Sequence, residues 1–388
     1  MKVDISAIAW GILVVACAGL LLTDINKTET LQFSESELAT SVGTKAGKNA
    51  GKNAVAKPEL SFVLPPGGPP SVHSGTLTRL QDGQLLAAWF GGAREGASDV
   101  RIFFCRRAPD AAEWSASTII ASREQTTEDL NRHIAKIGNP ILFADSRDRI
   151  WLFYVTVSFG GWSGSSITMK YSDDAGESWS KAKRLVTSPF LNVSTLVKGC
   201  PIECDSGHLV VPVYHEFVRK FGEAIILDRD GNLQSKIRLT AVRGAIQPWI
   251  VPLDQQASMA FFRQSGHPGR SVLMSHMPNV FASDCGRLET SHVPNPDAAI
   301  AVIRRHNGEF LMVCNPIDSG RHRLSLATSS DGVNWKLVRH VEDGDPPDEF
   351  SYPYLIRGAS GQYHLIYTWN RSRMRYLEFD EEWLENEL

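Results

Sequence analysis

Tyr171-Ser172-Asp173-Asp174-Ala175-Gly176-Glu177-Ser178-Trp179 packs carboxylates, hydroxyls, a glycine and a tryptophan into one reversal of the chain. Ser and Asp side chains satisfy N–H groups in such a turn, Gly176 supplies a positive φ, and Trp179 brings apolar area that pins the hairpin down. The pattern predicts a hairpin between strands at 166–171 and 182–186. Thr328-Ser329-Ser330-Asp331-Gly332-Val333-Asn334-Trp335 is a shortened copy, again after a run suited to a strand. Two worn copies follow the same plan: 105–114 keeps Asp110 and Trp114 without the glycine, and Ser283-Asp284-Cys285-Gly286 lacks the tryptophan.

Around these turns lies a larger repeat. From Leu60 onward short β runs are bounded by Gly, Asp and Asn, with almost no helical periodicity. Six units recur, each with an entry residue, an apolar strand, a turn and a second, very apolar strand. The entries are His73, Asn139, Cys200, Gln247, Asp297 and Tyr352, and Pro follows four of them. Units of roughly 45–65 residues have the period of propeller blades. Pro suits the first residues of an inner strand, where no ladder N–H is yet required. The expectation is an all-β, six-bladed β-propeller over 60–388, with the six entry residues ringing one end of its channel. A ring of mixed polar side chains there is suited to a ligand.

The Ser-x-Asp-x-Gly-x-x-Trp turns resemble the Asp-box, or BNR repeat, of the sialidase (neuraminidase) superfamily, and the resemblance covers about 71–378. It implies a sialidase-like exo-glycosidase acting on a terminal, acidic sugar. Tyr352 in Tyr352-Pro353-Tyr354-Leu355 then matches the nucleophile that opens the last inner strand. Arg263, ending Met259-Ala260-Phe261-Phe262, and Arg321, in Arg321-His322-Arg323-Leu324, match arginines that bind the substrate carboxylate. Arg94 and Asp99 in Arg94-Glu95-Gly96-Ala97-Ser98-Asp99 match an arginine and the acid/base, with Glu95 as the rival acid. Two departures stand out. Val72-His73-Ser74-Gly75 holds the place of the first arginine, and Gln247 that of the glutamate that would deprotonate the tyrosine. An amide is no base, so His73, with a pKa near neutrality, is the replacement. Asn139 and Trp162, the latter in Gly160-Gly161-Trp162-Ser163-Gly164, are further candidates for sugar contact. His215-Glu216 reads as a strand-end hydrogen-bonding pair. A carbohydrate-binding propeller without catalysis, and a lyase using Tyr and His on uronic-acid glycans, are the alternative readings.

Composition narrows the rest. A net charge of −3 with 21% charged residues argues against a polybasic nucleic-acid surface. No metal-ligand spacing occurs among the six cysteines, and no cofactor is expected. Their expected state is buried thiols with at most one disulfide. Residues 5–22 carry no charge and are about long enough to span a bilayer. They read as a signal anchor, a lipoprotein signal around Cys17, or a cleaved signal peptide, and each exports the remainder to the periplasm or cell surface. Residues 23–59 are polar, with the repeat Ala46-Gly47-Lys48-Asn49-Ala50-Gly51-Lys52-Asn53, and read as a flexible linker. The expected partner is a glycan, with membrane contact only through the N-terminal segment and the domain a monomer.

Overall fold

The computed structural model describes residues 31–38, 58, 60–63, 68–188, 192–266, 270–282, 285–358 and 361–386. The hydrophobic run at 5–22, Cys17 and the turn residues Ser283 and Asp284 lie outside the described residues. No helix among those described is long and apolar enough to cross a membrane.

Six antiparallel sheets follow one another along the chain. Blade 1 is Ser71–Arg79, Leu85–Gly92, Arg101–Arg107 and Thr118–Ser122. Blade 2 is Lys136–Ala144, Ile150–Val157, Ser165–Ser172 and Lys183–Arg184. In blade 3, Leu196–Val197 and Ile202–Glu203 share the inner position, followed by Leu209–His215, Phe221–Leu227 and Leu233–Arg238. Blade 4 is Ala245–Pro252, Ser258–Gln264, Ser271–Met277 and Leu288–Pro294. Blade 5 is Ala301–Arg304, Phe310–Cys314, Arg323–Ser329 and Lys336–Asp343. Blade 6 is Phe350–Arg357, Gln362–Trp369 and Arg373–Asp380, and its fourth strand, Ser61–Phe62, comes from the start of the domain. That swap closes the ring, and the inner strands of blades 1 and 6 pack together as those of blades 1 and 2 do. The six-bladed propeller is therefore the fold.

The strand patterns explain themselves. Second strands such as Leu85–Gly92 and Ile150–Val157 are buried along their whole length, because neighbouring blades cover both faces, and so they read as unbroken apolar runs. Outer strands such as Lys336–Asp343 are half-exposed and charged. The Asp-box turns form as their residues dictate. Asp174 Oδ1 accepts from Ser178 N at 2.9 Å, Ser172 Oγ accepts from Gly176 N at 2.8 Å, and φ at Gly176 is +84°. Each box tryptophan then reaches the preceding blade: Trp179 lies edge-on to Phe104, with ring centres 5.7 Å apart, and Trp335 lies the same way on Phe261. The worn copy keeps this contact, Trp114 packing on Tyr376 of blade 6. The boxes thus staple blade to blade.

The span 23–59 is not wholly a tether. Gln32 to Leu38 seats on the end of the wheel where the Asp-boxes lie, with a short helix at Glu35–Leu38. Phe33 is fully buried against Phe281 and bridges to Cys204, and Ser34 N donates to Glu203 O. One aromatic in a polar stretch sufficed to dock it. The described cysteines (105, 200, 204, 285 and 314) are all free thiols.

Candidate functional site

Inner strands run from one end of the channel, here the mouth, to the far end where the boxes lie. Near the mouth the pairing with the second strand slips between His73 and Thr76, Gly138 and Ile141, Ile246 and Trp249, and Ser351 and Tyr354. Each slip is a bulge carrying one residue in the left-handed region: Ser74 (φ 54°), Asn139 (46°), Gln247 (52°) and Tyr352 (54°). Asp297 (59°) holds the equivalent place ahead of blade 5's inner strand. Bulges re-aim side chains, and left-handed Gln or Tyr is strained by about 1–3 kcal/mol, a conformation retained where position matters. Proline after Asn139, Gln247 and Tyr352 removes an N–H that the broken ladder would leave unpaired.

These bulges bring distant residues together. Arg263, near the end of blade 4's second strand, donates from Nε to Asp297 Oδ1 at 2.7 Å. Its Nη1 lies 3.3 Å from both Gln247 Oε1 and Tyr352 Oη. Gln247 Nε2 in turn donates to Tyr214 Oη at 3.3 Å. Arg321 donates to Glu349 Oε1 (3.2 Å) and to the main-chain oxygen of Asp297 (2.9 Å), with its guanidinium 5.8 Å from the centre of the Tyr352 ring. Arg371 pairs with Glu349 Oε2 at 2.8 Å and Glu95 Oε2 at 2.9 Å. His73 packs its ring 4.2 Å from that of Tyr352 and edge-on to Phe90. A cavity of about 310 Å³ opens beside this cluster, lined by Arg321, His322, Asp348, Glu349 and Arg371.

The field at the floor of the mouth is positive. His73 is 2% exposed, and neither ring nitrogen has a hydrogen-bond partner among the described residues. Burial, and then Arg371, Arg321, Lys198 and Arg263, push its pKa well below the ordinary imidazole value, so it is neutral. Burial works against the charge on Arg263, yet Tyr352 and Asp297 hold its guanidinium more firmly protonated than usual. Burial likewise opposes ionisation of Glu349, but hydrogen bonds from Arg371 and Ser351 keep its carboxyl below the usual range. Glu216 is pushed up by burial, against the pull of Lys220 and Arg263.

The expected site residues therefore divide. Tyr352, Gln247, Arg263, Arg321 and His73 converge. His73 sits one place before the bulge, however: Ser74 is the left-handed residue, because the slip in blade 1 starts after His73. Cys200 does not join the mouth ring; it lines cavities toward the far end of the channel, since blade 3's inner strand breaks there. Arg94 is exposed on the loop after blade 1's second strand, and Arg371 stands in the cluster instead. Asp99 is also exposed, its Oδ2 accepting from Ala93 N at 2.9 Å within its own loop, whereas Glu95 reaches the cluster through Arg371. Asn139 is buried at its bulge, and Trp162 covers the adjacent Gly138, where a Cβ would lie 2.9 Å from the indole. Arg371, Glu349 and Lys198 are the members that residue patterns missed, whereas Asp297 stands at the mouth as an expected entry residue. Arg371 had one signal: it sits in the hairpin turn after Trp369, at the mouth end of the last blade.

A closed wheel of six sheets with Asp-box staples and a charged axial mouth defines the class of sialidase-fold propellers. The chain belongs to the BNR repeat-like domain family, which matches residues 83–365. Among solved structures it resembles the Hadza microbial sialidase Hz136, with a TM-score of 0.64 and 16% identity, covering 80% of this chain and 66% of that one. The leech intramolecular trans-sialidase gives a TM-score of 0.66 at 13% identity, over 84% and 71% of the two chains. The intramolecular trans-sialidase from Ruminococcus gnavus gives 0.65 at 13% identity, over 85% and 99%. The chain thus spans about two thirds of the Hadza sialidase, and these identities show a shared fold. No curated protein sequence matches the chain.

Proposed function

We propose that this propeller is a glycoside hydrolase that releases a terminal acidic sugar from a glycan, with Tyr352 as the group facing the anomeric carbon. The observation that carries this reading is Arg263 Nη1, 3.3 Å from both Tyr352 Oη and Gln247 Oε1, in a mouth where Arg321 and Arg371 also converge. Guanidinium groups recognise a carboxylate bidentately, and a phenol suits attack beside an anion that would repel a carboxylate nucleophile. Tyr352 Oη bonds to the anomeric carbon, or stabilises the oxocarbenium ion, as the glycosidic C–O bond breaks. Of the two expected acids Glu95 alone reaches the cluster; it takes up a proton when substrate displaces its pairing with Arg371, gives it to the leaving oxygen and later takes one from the incoming water. The phenolic proton leaves to solvent, because His73, the base expected there, packs on the Tyr352 ring with neither nitrogen in hydrogen-bonding reach of the hydroxyl. With its depressed pKa His73 is also a weak base, so the phenolate needs Arg263 beside it. The proteins of similar fold named as sialidases and trans-sialidases support the substrate class. The uncharged run at 5–22 supports an exported domain acting at the periplasm or cell surface, tethered by that segment.

A panel of fluorogenic glycosides tests the reading, with a sialoside and glucuronides expected to be cleaved ahead of neutral sugars. Tyr352→Phe keeps the ring and the bulge and removes only the hydroxyl. It is expected to lower kcat by about 10²–10⁴-fold with the melting temperature unchanged. Full turnover in that variant removes Tyr352 from the chemistry. One observation favours a second reading, a glycan-binding propeller without turnover: Gln247 stands within reach of Arg263 where a carboxylate base would be needed. Binding of acidic sugars with no hydrolysis of any glycoside decides for it.

A further inference from the structure

Blade 3 differs from the other five in its inner strand, which leaves the ladder between Val197 and Ile202. Gly199 makes this possible: a Cβ there would lie 2.0 Å from the carbonyl oxygen of Pro248, so the backbone runs hard against blade 4. Lys198, just before it, is fully buried, and its ammonium nitrogen has no hydrogen-bond partner among the described residues. Nζ lies 5.5 Å from the centre of the Tyr352 ring and 5.2 Å from that of Tyr354. His73 from blade 1 packs on the same Tyr352. The other titratable groups around it are Tyr352 and Tyr354 of blade 6, Tyr214 of its own blade, which reaches Tyr352 through Gln247, and Cys200 beside Tyr354. None of these is a carboxylate. Of the carboxylates of the mouth, Asp297 pairs with Arg263, Glu349 with Arg321 and Arg371, and Glu95 with Arg371, while Glu216, pushed toward its neutral form by burial, lies toward Lys220 and Arg263.

We propose that Lys198 is a buried, titratable cation in the floor of the mouth: charged, it completes the field that holds an anionic group against Tyr352; uncharged, it weakens that hold. A buried ammonium without an acceptor is costly, and the faces of two tyrosine rings compensate only in part. Burial accordingly draws the Lys198 ammonium down to about 7, so the switch operates in the physiological range. An anionic ligand supplies the missing counter-charge and draws the proton on. Lys198 is a positioning residue here, acting through the field rather than on the scissile bond. The ligand class rests on the acidic-sugar reading above, whereas the state of Lys198 does not.

Two measurements on the full chain separate these. Lys198→Met removes the charge and keeps the volume. Because the folded chain holds the lysine proton less tightly than the unfolded chain, the wild type is penalised at low pH and recovers as pH rises above about 7. Melting curves should therefore place K198M above the wild type at pH 6, with the gap closing toward pH 10. A variant less stable than wild type at pH 6 would mean that the ammonium has a partner, and overturns the inference. Calorimetric titration with N-acetylneuraminic acid and with glucuronic acid, using their methyl esters as uncharged controls, reads the second part. Wild-type affinity for whichever acid binds should fall roughly tenfold or more from pH 6 to pH 8.5, following the charged fraction of Lys198. In K198M the affinity should be weak and flat with pH, and the esters should be indifferent to both. Acid binding whose pH slope survives in K198M overturns the switch alone. If neither acid binds the wild type at pH 6, the acidic-sugar reading fails and the switch's role with it, even where the melting curves behave as expected.

Discussion

At the far end of the channel, Asp174 and Asp331 bond to hydroxyls and N–H groups of their own turns, within four residues. At the mouth the same kinds of group reach across the wheel. Arg263 links Gln247 on its own blade to Asp297 on the next and Tyr352 on the one beyond, while Arg371 joins Glu349 to Glu95 on blade 1. Backbone conformation differs too. Far-end turns give left-handed positions to Gly83, Gly207, Gly308, Gly332 and Gly361 besides Asp148 and Ala175. The inner-strand entries at the mouth impose them on Ser74, Asn139, Gln247, Asp297 and Tyr352, while the loops there use Gly96, Gly160, Gly244, Gly266 and Gly320. At the far end the box aspartates are satisfied within their own turns, although Ala175 is left-handed and Trp179 Nε1 has no hydrogen-bond partner among the described residues. The mouth entries carry strain and unpartnered polar groups, as expected where side chains are held for a ligand rather than for the fold.

The sharpest way to break this contrast is to exchange the demands of the two ends. Gly176→Ala puts a methyl group 2.6 Å from Phe104 Cζ and asks alanine to hold φ at +84°. The expected loss is about 2–3 kcal/mol, read from urea unfolding with an unchanged m-value. A tolerated alanine would show that the far-end staple is softer than its packing implies. Ser74→Gly runs the other way. Ser74 is fully buried, its hydroxyl has no partner among the described residues and its φ is 54°. Glycine there relieves strain and deletes an unsatisfied polar atom, so stability should rise by about 1 kcal/mol. A loss would mean that the mouth bulges are not strained.

The contrast also explains what the residue patterns disclosed. An Asp-box is legible because its physics is complete within nine residues: donor, acceptor, glycine and tryptophan all lie in one turn. Six local strand–turn–strand units imply blades, and the closed wheel follows. Entry residues were legible for the same reason at Gln247 and Tyr352, where a proline marks the bulge. His73 lacks that mark and fell one place off. The partners of Arg263 lie 16, 34 and 89 residues away, and no spacing rule connects them. Arg371 stands in the cluster instead of Arg94 because a hairpin turn of blade 6 overhangs the mouth, a fact of closure rather than of motif. Lys198 carried no mark in the sequence, and it is buried where Gly199 brings the backbone against Pro248 of the next blade.

The smallest effect tests the far end's electrostatics. Hydrogen bonds from the Ser178 hydroxyl and N–H, and then from Ser172, hold the Asp174 carboxyl down to about 2. Its ordinary value is about 3.9, so the folded chain prefers the ionised form. Stability from this group is therefore complete above about pH 4 and is lost as pH falls through about 2. Asp174→Asn keeps an oxygen acceptor for the turn and cannot titrate. The stability difference between wild type and D174N should stay constant from pH 7 to pH 5 and then shrink toward pH 2, followed by urea unfolding at each pH. A difference that does not change with pH would mean that the Trp179–Phe104 contact alone holds the turn. The far end would then owe its stability to apolar stapling, and the two ends would differ in packing and strain rather than in how they satisfy charge.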